Sequence, residues 1–352
     1  MNTHIYVNND VSQWHSRKLP NCITSNDLNH FLATTTETKA ALLQIPYPLE
    51  SKKFSGLLNK LIEPCELTVI LITELHRDTV DFYRHHQHPK IKYFLCGSTV
   101  YQPEAVWMDW FATSSSFYKS NTKLLDTLTP YEVKPRFFDA LLGRKKPHRD
   151  LIYQFVNENC ADQTIMTYLE GLDAIPLEQQ NHTGWLWEDT GLELLTNSTQ
   201  WTVTPVKYYG QGMSLSQVIP LKVYNQTAYS IVAETNFDND YSFYTEKIVK
   251  PILAERLFLV FSGQHYLKNL RSLGFKTFDG IIDESYDLIL NPQQRFAEIF
   301  KQMQWLIAQP QEHILKQIQP ITMHNKKVML ENNWQGEFTS NLRNLFASIQ
   351  PD

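Results

Sequence analysis

The chain has 352 residues, of which 42% are hydrophobic and 20% are charged, and its formal net charge is −5. This length suits two domains better than a single core, and the negative charge argues against a general nucleic-acid binder, whose affinity comes from neutralising phosphates. No apolar run approaches the roughly 18 residues of a membrane-spanning helix, so no transmembrane segment is predicted.

The four cysteines are scattered along the chain, at Cys22, Cys65, Cys96 and Cys160. Because they form no C-x-x-C pair, they indicate reduced, mostly buried thiols rather than a disulfide framework or a zinc site. The N-terminal stretch lacks the basic and apolar regions of a secretory signal. We therefore expect a cytoplasmic protein, and peripheral association with a membrane stays open.

The first part of the chain alternates between strand and helix patterns. Lys39–Gln44 fits a strand or a short helix, whereas Leu67–Thr73 is a continuous apolar run, typical of a strand buried on both faces. A helix is predicted at Asp78–His86 and a strand at Ile91–Cys96, which completes one βαβ unit of a parallel sheet. The prolines in Leu124–Pro135 favour an interdomain linker there.

A second α/β series follows this linker. The pattern predicts a strand at Arg136–Leu142, a helix at Arg149–Asn159 with Pro147 near its first position, and a strand at Thr164–Leu169. Further predicted strands are Tyr229–Ala233, Leu257–Phe261 and Phe278–Ile282, and further predicted helices are Tyr266–Leu273 and Asn291–Gln309. The predicted fold class is α/β, with α/β domains at 1–130 and 131–310 and a C-terminal helical segment at 311–352.

Lys247 falls in the first turn of a predicted helix, after the strand that ends at Ala233. A cation there opposes the partial positive charge of the helix N-terminus, which disfavours it by up to about 1 kcal/mol. An anion beside the lysine would explain the position. Unpaired N–H groups at a helix start bind anions, and a lysine adds a point charge for phosphate.

A second helix start carries the same feature. The segment RKKPHRD places Arg144, Lys145, Lys146, His148 and Arg149 between a strand and a helix. A solvated basic loop is the alternative interpretation. Because the carboxyl ends of parallel strands share one edge of a sheet, where ligands bind, we expect the two helix starts to meet at one anion site.

These segments resemble the donor-binding motif of the α1,3-fucosyltransferase-like glycosyltransferases, including uncharacterised bacterial and phage relatives. In YSIVAETN, Glu234 stands at the Glu that ends the family's strand, and residues 245–247 match its Thr-Glu-Lys. Three positions depart from the motif. Phe243 occupies the usual Tyr position, and Thr235 and Asn236 stand where Asn-Ser is usual.

The resemblance extends over residues 136–290. Arg149, in LLGRKKPHRDLIYQFV, matches the family arginine that follows the first strand of the donor domain and grips the nucleotide diphosphate. Ser262 and Gly263 follow the next strand, where the family has a glycine before a loop. Because the chain departs from the motif, the identity of the donor sugar stays open.

The resemblance implies a GT-B architecture, in which two Rossmann-like domains face each other and the C-terminal one binds the donor. It implies an inverting, metal-independent transfer from a nucleotide sugar, habitually GDP-fucose, to a glycan, lipid-linked or protein acceptor, with no cofactor. The donor-binding residues that it implies are Arg144, Arg149, Glu234, Asn236, Phe243, Tyr244, Thr245, Glu246 and Lys247.

The chemistry suits these side chains. Arg149 can fork across two phosphate oxygens and Lys247 supplies a point charge, so both can stabilise the negative charge that grows on a departing diphosphate. Glu246 can accept hydrogen bonds from ribose hydroxyls, or it is a first-turn glutamate favoured by the helix dipole. Glu234 can hold sugar hydroxyls, or it is a polar residue that ends its strand.

Inverting transfer also needs a base on the face opposite the departing diphosphate. Since the donor domain holds the diphosphate, we expect the base at the carboxyl end of a strand in the N-terminal domain. Glu74, which follows the strand Leu67–Thr73, meets this condition best, and His76 and Asp109 are alternatives. An ordinary helix N-terminal residue is the other interpretation of Glu74.

Other patterns favour structural roles. The H-H-x-H run around His86 lacks the carboxylate support of a metal site. The D-N-D at 238–240 imitates the D-x-D of metal-dependent glycosyltransferases, but we expect it to cap the next helix, with Asp240 or Ser242 as the N-cap. The aromatic residues within 107–117 fit core packing better than sugar stacking.

The competing function is a non-catalytic nucleotide-sugar-binding or interaction protein on the same scaffold, since a fold does not dictate activity. A nucleotide-dependent enzyme with other chemistry would be favoured by a P-loop or a G-x-G-x-x-G, and the sequence has neither.

Overall fold

The computed structural model falls into two compact units. The first lies within Met1–Asp109 and Asn333–Asp352, and the second within Trp110–Asn332. The residues that the structure describes are 3–9, 22–34, 38–46, 49–97, 105–168, 192–194, 205–335 and 338–349.

Strands and helices alternate along most of the described chain. The strands are Thr3–Val7 (β1), Cys22–Ser25 (β2), Lys39–Gln44 (β3), Leu67–Ile72 (β4), Ile91–Cys96 (β5), Ala105–Trp107 (β6), Arg136–Leu142 (β7), Thr164–Tyr168 (β8), Leu192–Leu194 (β9), Pro205–Tyr208 (β10), Gln211–Ser214 (β11), Thr227–Ala233 (β12) and Leu257–Phe261 (β13). The helices are Leu28–Ala33 (α1), Ser51–Ile62 (α2), Arg77–His85 (α3), Asp109–Ser120 (α4), Thr122–Leu125 (α5), Pro147–Asn159 (α6), Leu221–Gln226 (α7), Glu246–Leu253 (α8), Tyr266–Ser272 (α9), Pro292–Ile307 (α10), Gln311–Glu331 (α11) and Phe338–Ala347 (α12), with 3₁₀ turns at Ala161–Gln163, Leu215–Gln217 and Ser285–Leu288. Over the described ranges, no helix has both the length and the apolar character needed to cross a membrane.

The first unit is built on a six-stranded parallel sheet in the order β2-β1-β3-β4-β5-β6. Every residue of β4 is buried, as its continuous apolar sequence predicts for a strand covered on both faces. The predicted βαβ unit is confirmed as β4, α3 and β5, with β4 and β5 parallel. The segment that the sequence left open between strand and helix is strand β3.

The last helix, α12, packs on this sheet. Phe338, Leu342 and Phe346 belong to the same buried core as Val69 and Phe94, and the rings of Phe94 and Phe338 are 5.3 Å apart in an edge-on contact. Burying a phenylalanine contributes roughly 1.5–3 kcal/mol, so these rings anchor α12 on the first unit. The predicted C-terminal helical segment, 311–352, is therefore divided between the two units, because α11 belongs to the second unit and α12 to the first.

The second unit contains a four-stranded parallel sheet in the order β13-β12-β7-β8 and a separate antiparallel sheet in the order β11-β10-β9. All residues of β12 and β13 are buried, which fits their apolar sequences. β7 and β12 are paired so that Ser230 lies opposite Asp139.

Both parallel sheets start with the same topology. β1 lies between β2 and β3, and β7 lies between β8 and β12. In each sheet the chain moves to one side of its first strand and then crosses to the other side. This crossing defines a topological switch point, at β1/β3 and at β7/β12, and ligands of open parallel sheets bind beyond the carboxyl ends of the strands at such points.

A buried ion pair ties the second sheet together. Arg256 and Asp139 are each 2% exposed, with 2.7 Å between Nη2 and Oδ1. Arg256 also donates to Ser230 Oγ (2.9 Å) and to the carbonyl oxygens of Thr227 (2.6 Å) and Tyr229 (3.0 Å). Burial raises the pKa of Asp139, and the charge of Arg256 opposes this rise. Removing one partner of such a pair typically costs about 3–5 kcal/mol.

The units divide the chain at Asp109 and not near residue 130, where the sequence placed the boundary. The segment Leu124–Pro135 is packed within the second unit. Leu124 and Leu125 are buried, and the Thr129 amide donates to Asn225 Oδ1 at 3.0 Å. The segment that contains these prolines is therefore packed within the second unit, and the prediction of a linker there is wrong.

The strand predicted at Phe278–Ile282 is a turn. Gly280 has a φ of 85°, in the region that favours glycine, and the amides of Ile281 and Ile282 both donate to the Phe278 carbonyl. Glu284 fixes the turn by accepting from the Phe278 amide at 2.7 Å. The segment Phe278–Ile282 thus forms a turn and not a strand of the sheet.

Candidate functional site

The carboxyl end of β12 is held by three basic side chains from the N-cap and the first turn of α6. The carbonyl oxygens of residues 233–235 accept, in order, from Arg149 Nη2 (3.3 Å), His148 Nε2 (2.8 Å) and Lys146 Nζ (2.7 Å). These contacts lie at the β7/β12 switch point. The basic turn is therefore part of a built site rather than a loosely solvated loop.

The local sequence explains how the turn reaches β12. Pro147 is the first residue of α6, where its missing N–H costs nothing, and Lys146 is the N-cap. Arg149 is only 4% exposed, and its Nη1 also donates to the Arg144 carbonyl at 2.7 Å. Arg149 therefore braces the turn and adds positive potential to the site from beneath it.

Lys247 reaches the same place from α8. Its Nζ is 2.9 Å from Glu246 Oε1, 3.2 Å from Thr245 Oγ1 and 3.5 Å from Thr235 Oγ1. The side chain of Lys247 is 23% exposed, so its charge faces the surface of the unit. Arg149 and Lys247, about a hundred residues apart in sequence, thus converge on the end of one strand, as the sequence predicted.

Thr245 is the N-cap of α8, and its side-chain oxygen accepts from the Lys247 amide at 3.4 Å. The predicted N-caps, Asp240 and Ser242, are therefore wrong. Ser242 is buried and accepts instead from Asn269 at 2.8 Å. A threonine at this place both caps the helix and contacts the lysine ammonium.

Glu234 is fully buried and its carboxylate is occupied by protein groups. Oε2 accepts from Thr245 Oγ1 (2.8 Å) and the Thr235 amide (3.3 Å), and Oε1 accepts from Tyr266 Oη (2.8 Å). Burial raises the pKa of Glu234, and the positive charge of Lys247 opposes that rise. This glutamate connects β12 to α8 and α9, so it positions the site from inside.

Glu246 differs from Glu234 although both are buried. Burial alone would raise the pKa of Glu246, but the charges of Lys247 and Lys250 outweigh it and hold this pKa below its usual value. Glu246 is therefore ionised, with Lys247 as its ion-pair partner. An ionised acceptor next to a partly exposed cation suits a ligand that offers hydroxyl groups beside phosphate.

His148 is kept neutral in this cationic setting. Burial, and then the charge of Arg149, lower its pKa to about 3. Its ring stacks on Phe237 with a centroid distance of 4.6 Å. Because Nε2 donates to a carbonyl, the neutral tautomer with a proton on Nε2 is the one that this site requires.

Other predicted donor-binding residues occupy different positions. Phe243 and Tyr244 are buried, and Tyr244 packs on Phe111 and Tyr266 in the core. Asn236 is half-buried, and its carbonyl accepts from Ser262 Oγ at 3.2 Å. Of this group only Asn236 lies partly open at the end of β12, and the two aromatic residues support the site through packing.

The glycine after β13 is needed by the backbone beside it. A Cβ added to Gly263 would lie 2.7 Å from the carbonyl oxygen of Asn239, which is closer than real contacts allow. The neighbouring loop is pinned by Arg295, which is 2% exposed and whose Nε donates to the Ser262 carbonyl at 2.9 Å. The D-N-D segment thus rests on the end of β13.

A small cavity lies under the start of α8. It is lined by side chains from β7 and β12 together with Lys247, Lys250 and Pro251. Burial lowers the pKa of Lys250, while the charge of Glu246 opposes this effect. The cavity brings a second lysine of α8 to the site, in addition to the one predicted from the sequence.

The predicted catalytic bases lie in the first unit, at the carboxyl ends of its strands. Glu74 Oε2 is 3.2 Å from His76 Nε2, and the Glu74 side chain is 48% exposed. Asp109 is near them, since burial first and then the charges of Asp109 and Glu74 raise the pKa of Cys96, at the end of β5. The three candidates therefore share one edge of the sheet.

The structure also places the histidine, aromatic and cysteine residues of the other sequence patterns. Within the described ranges, no group of three or more His, Cys, Asp and Glu side chains is placed to hold a metal ion. His86 contacts Ser55 and stacks on Phe82. Phe111 and Phe117 are core residues, as predicted, and Cys65, Cys96 and Cys160 are buried free thiols.

No family model, no curated protein and no solved structure matches this chain. What the site can do therefore has to follow from its own geometry. That geometry is a set of cations, two buried carboxylates and a neutral histidine at the switch point of a parallel sheet.

Two parts of this arrangement were not predicted from the sequence. The first is the Asp139–Arg256 pair, for which a signal existed, because an aspartate inside the apolar strand RFFDALL requires a buried partner. The second is Tyr266, which binds Glu234 from a helix 32 residues further along. Nothing local in the sequence marks that tyrosine as part of the site.

Proposed function

We propose that this chain is a nucleotide-sugar glycosyltransferase that binds the donor diphosphate at the β7/β12 switch point. The observation that supports this most strongly is the convergence of Lys146, Arg149 and Lys247 on residues 233–235. Two helix starts bring these cations to one strand end. Glu246, the ion-pair partner of Lys247, balances part of this positive charge, and the remaining charge suits a ligand that carries phosphate.

In the proposed reaction, an oxygen of the acceptor hydroxyl attacks the anomeric carbon of the donor sugar. A carbon–oxygen bond forms there while the bond to the diphosphate oxygen breaks, and the diphosphate leaves with the electron pair. Lys146 and Lys247 stabilise the charge that grows on the leaving group, and Arg149 reinforces them from below. Because protein cations carry this task, we expect the transfer to need no divalent metal.

The proton of the acceptor hydroxyl needs a base, and Glu74 is the proposed one. Its side chain is half exposed and contacts His76. Attack from the side opposite the diphosphate inverts the anomeric configuration. A GT-B architecture is part of this proposal.

The first test is a thermal-shift screen of the full chain with GDP, UDP, ADP, CMP and TDP. A ligand at a hundred times its Kd stabilises a protein by about 2.7 kcal/mol. We expect at least one nucleoside diphosphate to raise the melting temperature more than CMP does. Equal shifts with CMP and with the diphosphates, or no shift at all, would count against a diphosphate site.

A non-catalytic nucleotide-sugar-binding protein is the second candidate, favoured by the burial of Glu234 among protein partners. The two functions differ in one measurable property. The enzyme slowly hydrolyses its nucleotide sugar without acceptor, whereas a binding protein leaves it intact. For the enzyme, EDTA leaves that hydrolysis unchanged, and a loss that manganese restores would contradict metal-independent transfer.

A further inference from the structure

The ammonium group of Lys247 has no donor to spare. Such a group has three N–H donors in all. Its Nζ donates to Glu246 Oε1 (2.9 Å), Thr245 Oγ1 (3.2 Å) and Thr235 Oγ1 (3.5 Å). An anionic ligand that binds this lysine therefore has to displace one of these partners. Glu246 is the partner that carries charge, so its ion pair with Lys247 is the contact that competes with the ligand.

Glu246 is poorly placed to lose its cation. Its side chain is only 6% exposed, and burial by itself would raise its pKa. A buried charge whose partner is removed is strongly destabilised. If Lys247 turns to a ligand, either another positive group approaches Glu246 or the unpaired carboxylate opposes the binding.

Lys250 lies one helical turn after Glu246. Both belong to α8, so their spacing is i and i+4, and side chains at this spacing meet on one face of a helix. A glutamate four residues before a lysine is also the favoured order of such a pair. Glu246 and Lys247, in contrast, are neighbours in sequence, and helical side chains at that spacing do not face each other.

Lys250 is available as a second partner for Glu246. Within the residues that the structure describes, its ammonium group makes no hydrogen bond and no ion pair. Asp139, another carboxylate that acts on it, is already paired with Arg256 at 2.7 Å. Burial lowers the pKa of Lys250, and among the charges that oppose this effect that of Glu246 is the strongest.

The small cavity under α8 leaves room for a movement of Lys250. Lys247, Lys250 and Pro251 line it from the helix, and β7, β12 and Tyr224 line it from the other side. Its volume of about 20 Å³ is enough for one group of the size of a water molecule. Because an ammonium group is of that size, the side chain of Lys250 can change its rotamer without a shift of the helix.

We propose that Lys250 is a positioning residue, which becomes the ion-pair partner of Glu246 when Lys247 turns to an anionic ligand. In the ligand-free chain Lys247 holds Glu246. When phosphate binds to Lys247, Glu246 keeps its charge because Lys250 replaces Lys247 beside it. The inference rests on the proposed function in one point, that the anion is a diphosphate. The exchange of partners itself can be tested without a ligand.

Lys247→Met imitates the departure of Lys247 in the ligand-free chain. Lys247 is 23% exposed, so the change should leave the fold intact. We expect the side-chain ammonium signal of Lys250, in NMR spectra of isotope-labelled lysine, to shift because Lys250 then pairs with Glu246. Lys268→Met, at an exposed lysine of α9, should leave that signal in place. An unchanged Lys250 signal in Lys247→Met would overturn the proposal.

The pKa of Glu246 gives a second readout. In Lys247→Met it should stay below the ordinary glutamate value, and in Lys247→Met with Lys250→Met it should rise above that value, because burial is then unopposed. Lys247→Met with Lys250→Arg should behave like Lys247→Met alone, since arginine keeps the charge. Equal pKa values with and without a cation at position 250 would contradict the exchange. If circular dichroism shows that a double variant is unfolded, the Lys250 signal in Lys247→Met decides.

Calorimetric titration with GDP and UDP connects the exchange to ligand binding. Lys250→Met should weaken binding about fivefold or more, within the range of coupling between residues of one ion-pair network, and Lys250→Arg should restore it. In the Glu246→Gln chain no carboxylate needs a cation, so Lys250→Met should have little further effect there. A full effect of Lys250→Met in that chain would show that Lys250 attracts phosphate directly and would overturn the exchange.

The exchange and the proposed donor site fail separately. An exchange in Lys247→Met without binding of either nucleotide would refute the proposed donor site but not the exchange. Nucleotide binding with the same affinity in Lys250→Met and in Lys268→Met would refute the exchange but not the donor site.

Discussion

The two parallel sheets have the same topology at their first strands but opposite chemistry at the crevices that this topology creates. At β7/β12, three cations contact the end of one strand. At β1/β3, the amide side chains of Asn8 and Gln44 and the carboxylate of Glu74 line the edge. The strand order therefore determines where a ligand site lies, and the residues directly after the strands determine which ligand it can take.

The two edges also differ in how they are held. The edge at β7/β12 is supported by buried charges, since Glu234 connects three elements and the Asp139–Arg256 pair lies in the same sheet. The edge at β1/β3 is held by neutral amide hydrogen bonds of Asn8. Removing one partner of a buried charged pair costs more free energy than removing one partner of a neutral hydrogen bond. We therefore expect the edge at β7/β12 to tolerate substitution less well.

The largest expected effect is on turnover and comes from the first unit. Glu74→Gln should lower the turnover of the transferase by roughly a hundredfold or more, because general-base catalysis contributes about 10²–10⁴-fold. Binding of the nucleotide sugar, measured by calorimetry, should not change. The matched control is Glu50→Gln, at a glutamate that is 69% exposed. Full activity of Glu74→Gln would pass the role to His76 or Asp109.

The next effect is on diphosphate affinity and comes from the second unit. Lys247→Met keeps the aliphatic stem but removes the ammonium, so binding should weaken by about 1.5–3 kcal/mol, the range for a charge-assisted hydrogen bond. Lys268→Met, at an exposed lysine of α9, is the control and should bind normally. Calorimetry that finds equal affinities in the two variants would refute a phosphate role for Lys247.

A third prediction concerns the backbone contact between Gly263 and Asn239, beside the edge at β7/β12. Gly263→Ala places a Cβ 2.7 Å from the Asn239 carbonyl oxygen, so the free energy of unfolding should fall by about 1–3 kcal/mol. Gly56→Ala is the contrast in the first unit. No atom lies within 4 Å of that Cβ position, and the change should stabilise helix α2 by roughly 0.5–1 kcal/mol. Urea denaturation measures both, and equal values would contradict the close approach.

A fourth prediction is a pH dependence of stability that His148 produces. Its pKa is about 3 in the folded chain, against an ordinary histidine pKa of 6.5, so the unfolded chain takes up the proton first as the pH falls. The free energy of unfolding should therefore decrease below pH 6.5, with a slope of up to about 1.4 kcal/mol per pH unit. His148→Gln keeps a donor for the Glu234 carbonyl but does not titrate, so its stability should vary less. The exposed His88→Gln is the control, and identical pH profiles in all three proteins would contradict a buried neutral His148.

Much of the sheet framework could be predicted from the sequence because buried parallel strands are continuous apolar runs. Strands β5, β7 and β13 have the predicted bounds. The exception, Phe278–Ile282, has apolar residues at 278, 281 and 282 but also contains Gly280, and a positive φ there makes a turn. Apolar character alone does not distinguish a strand from a buried turn.

The candidate site was predictable where cations follow strands, and less so where distant residues complete it. A lysine at a helix start is a local signal, which is how Lys247 could be found. The burial of Arg149 and Glu234 and the contact of Tyr266 with Glu234 depend on tertiary packing. The domain boundary was placed wrongly for the same reason, since prolines in Leu124–Pro135 do not show that Thr129 binds Asn225.

One measurement tests the contrast between the two edges most directly. In an NMR titration of the full chain with GDP and UDP, we expect amide signals of residues 233–235 and of Lys247 to shift, while those of Asn8 and Gln44 stay in place. A diphosphate that shifts Asn8 and Gln44 instead, or that shifts neither group, would contradict the assignment of phosphate binding to the β7/β12 switch point.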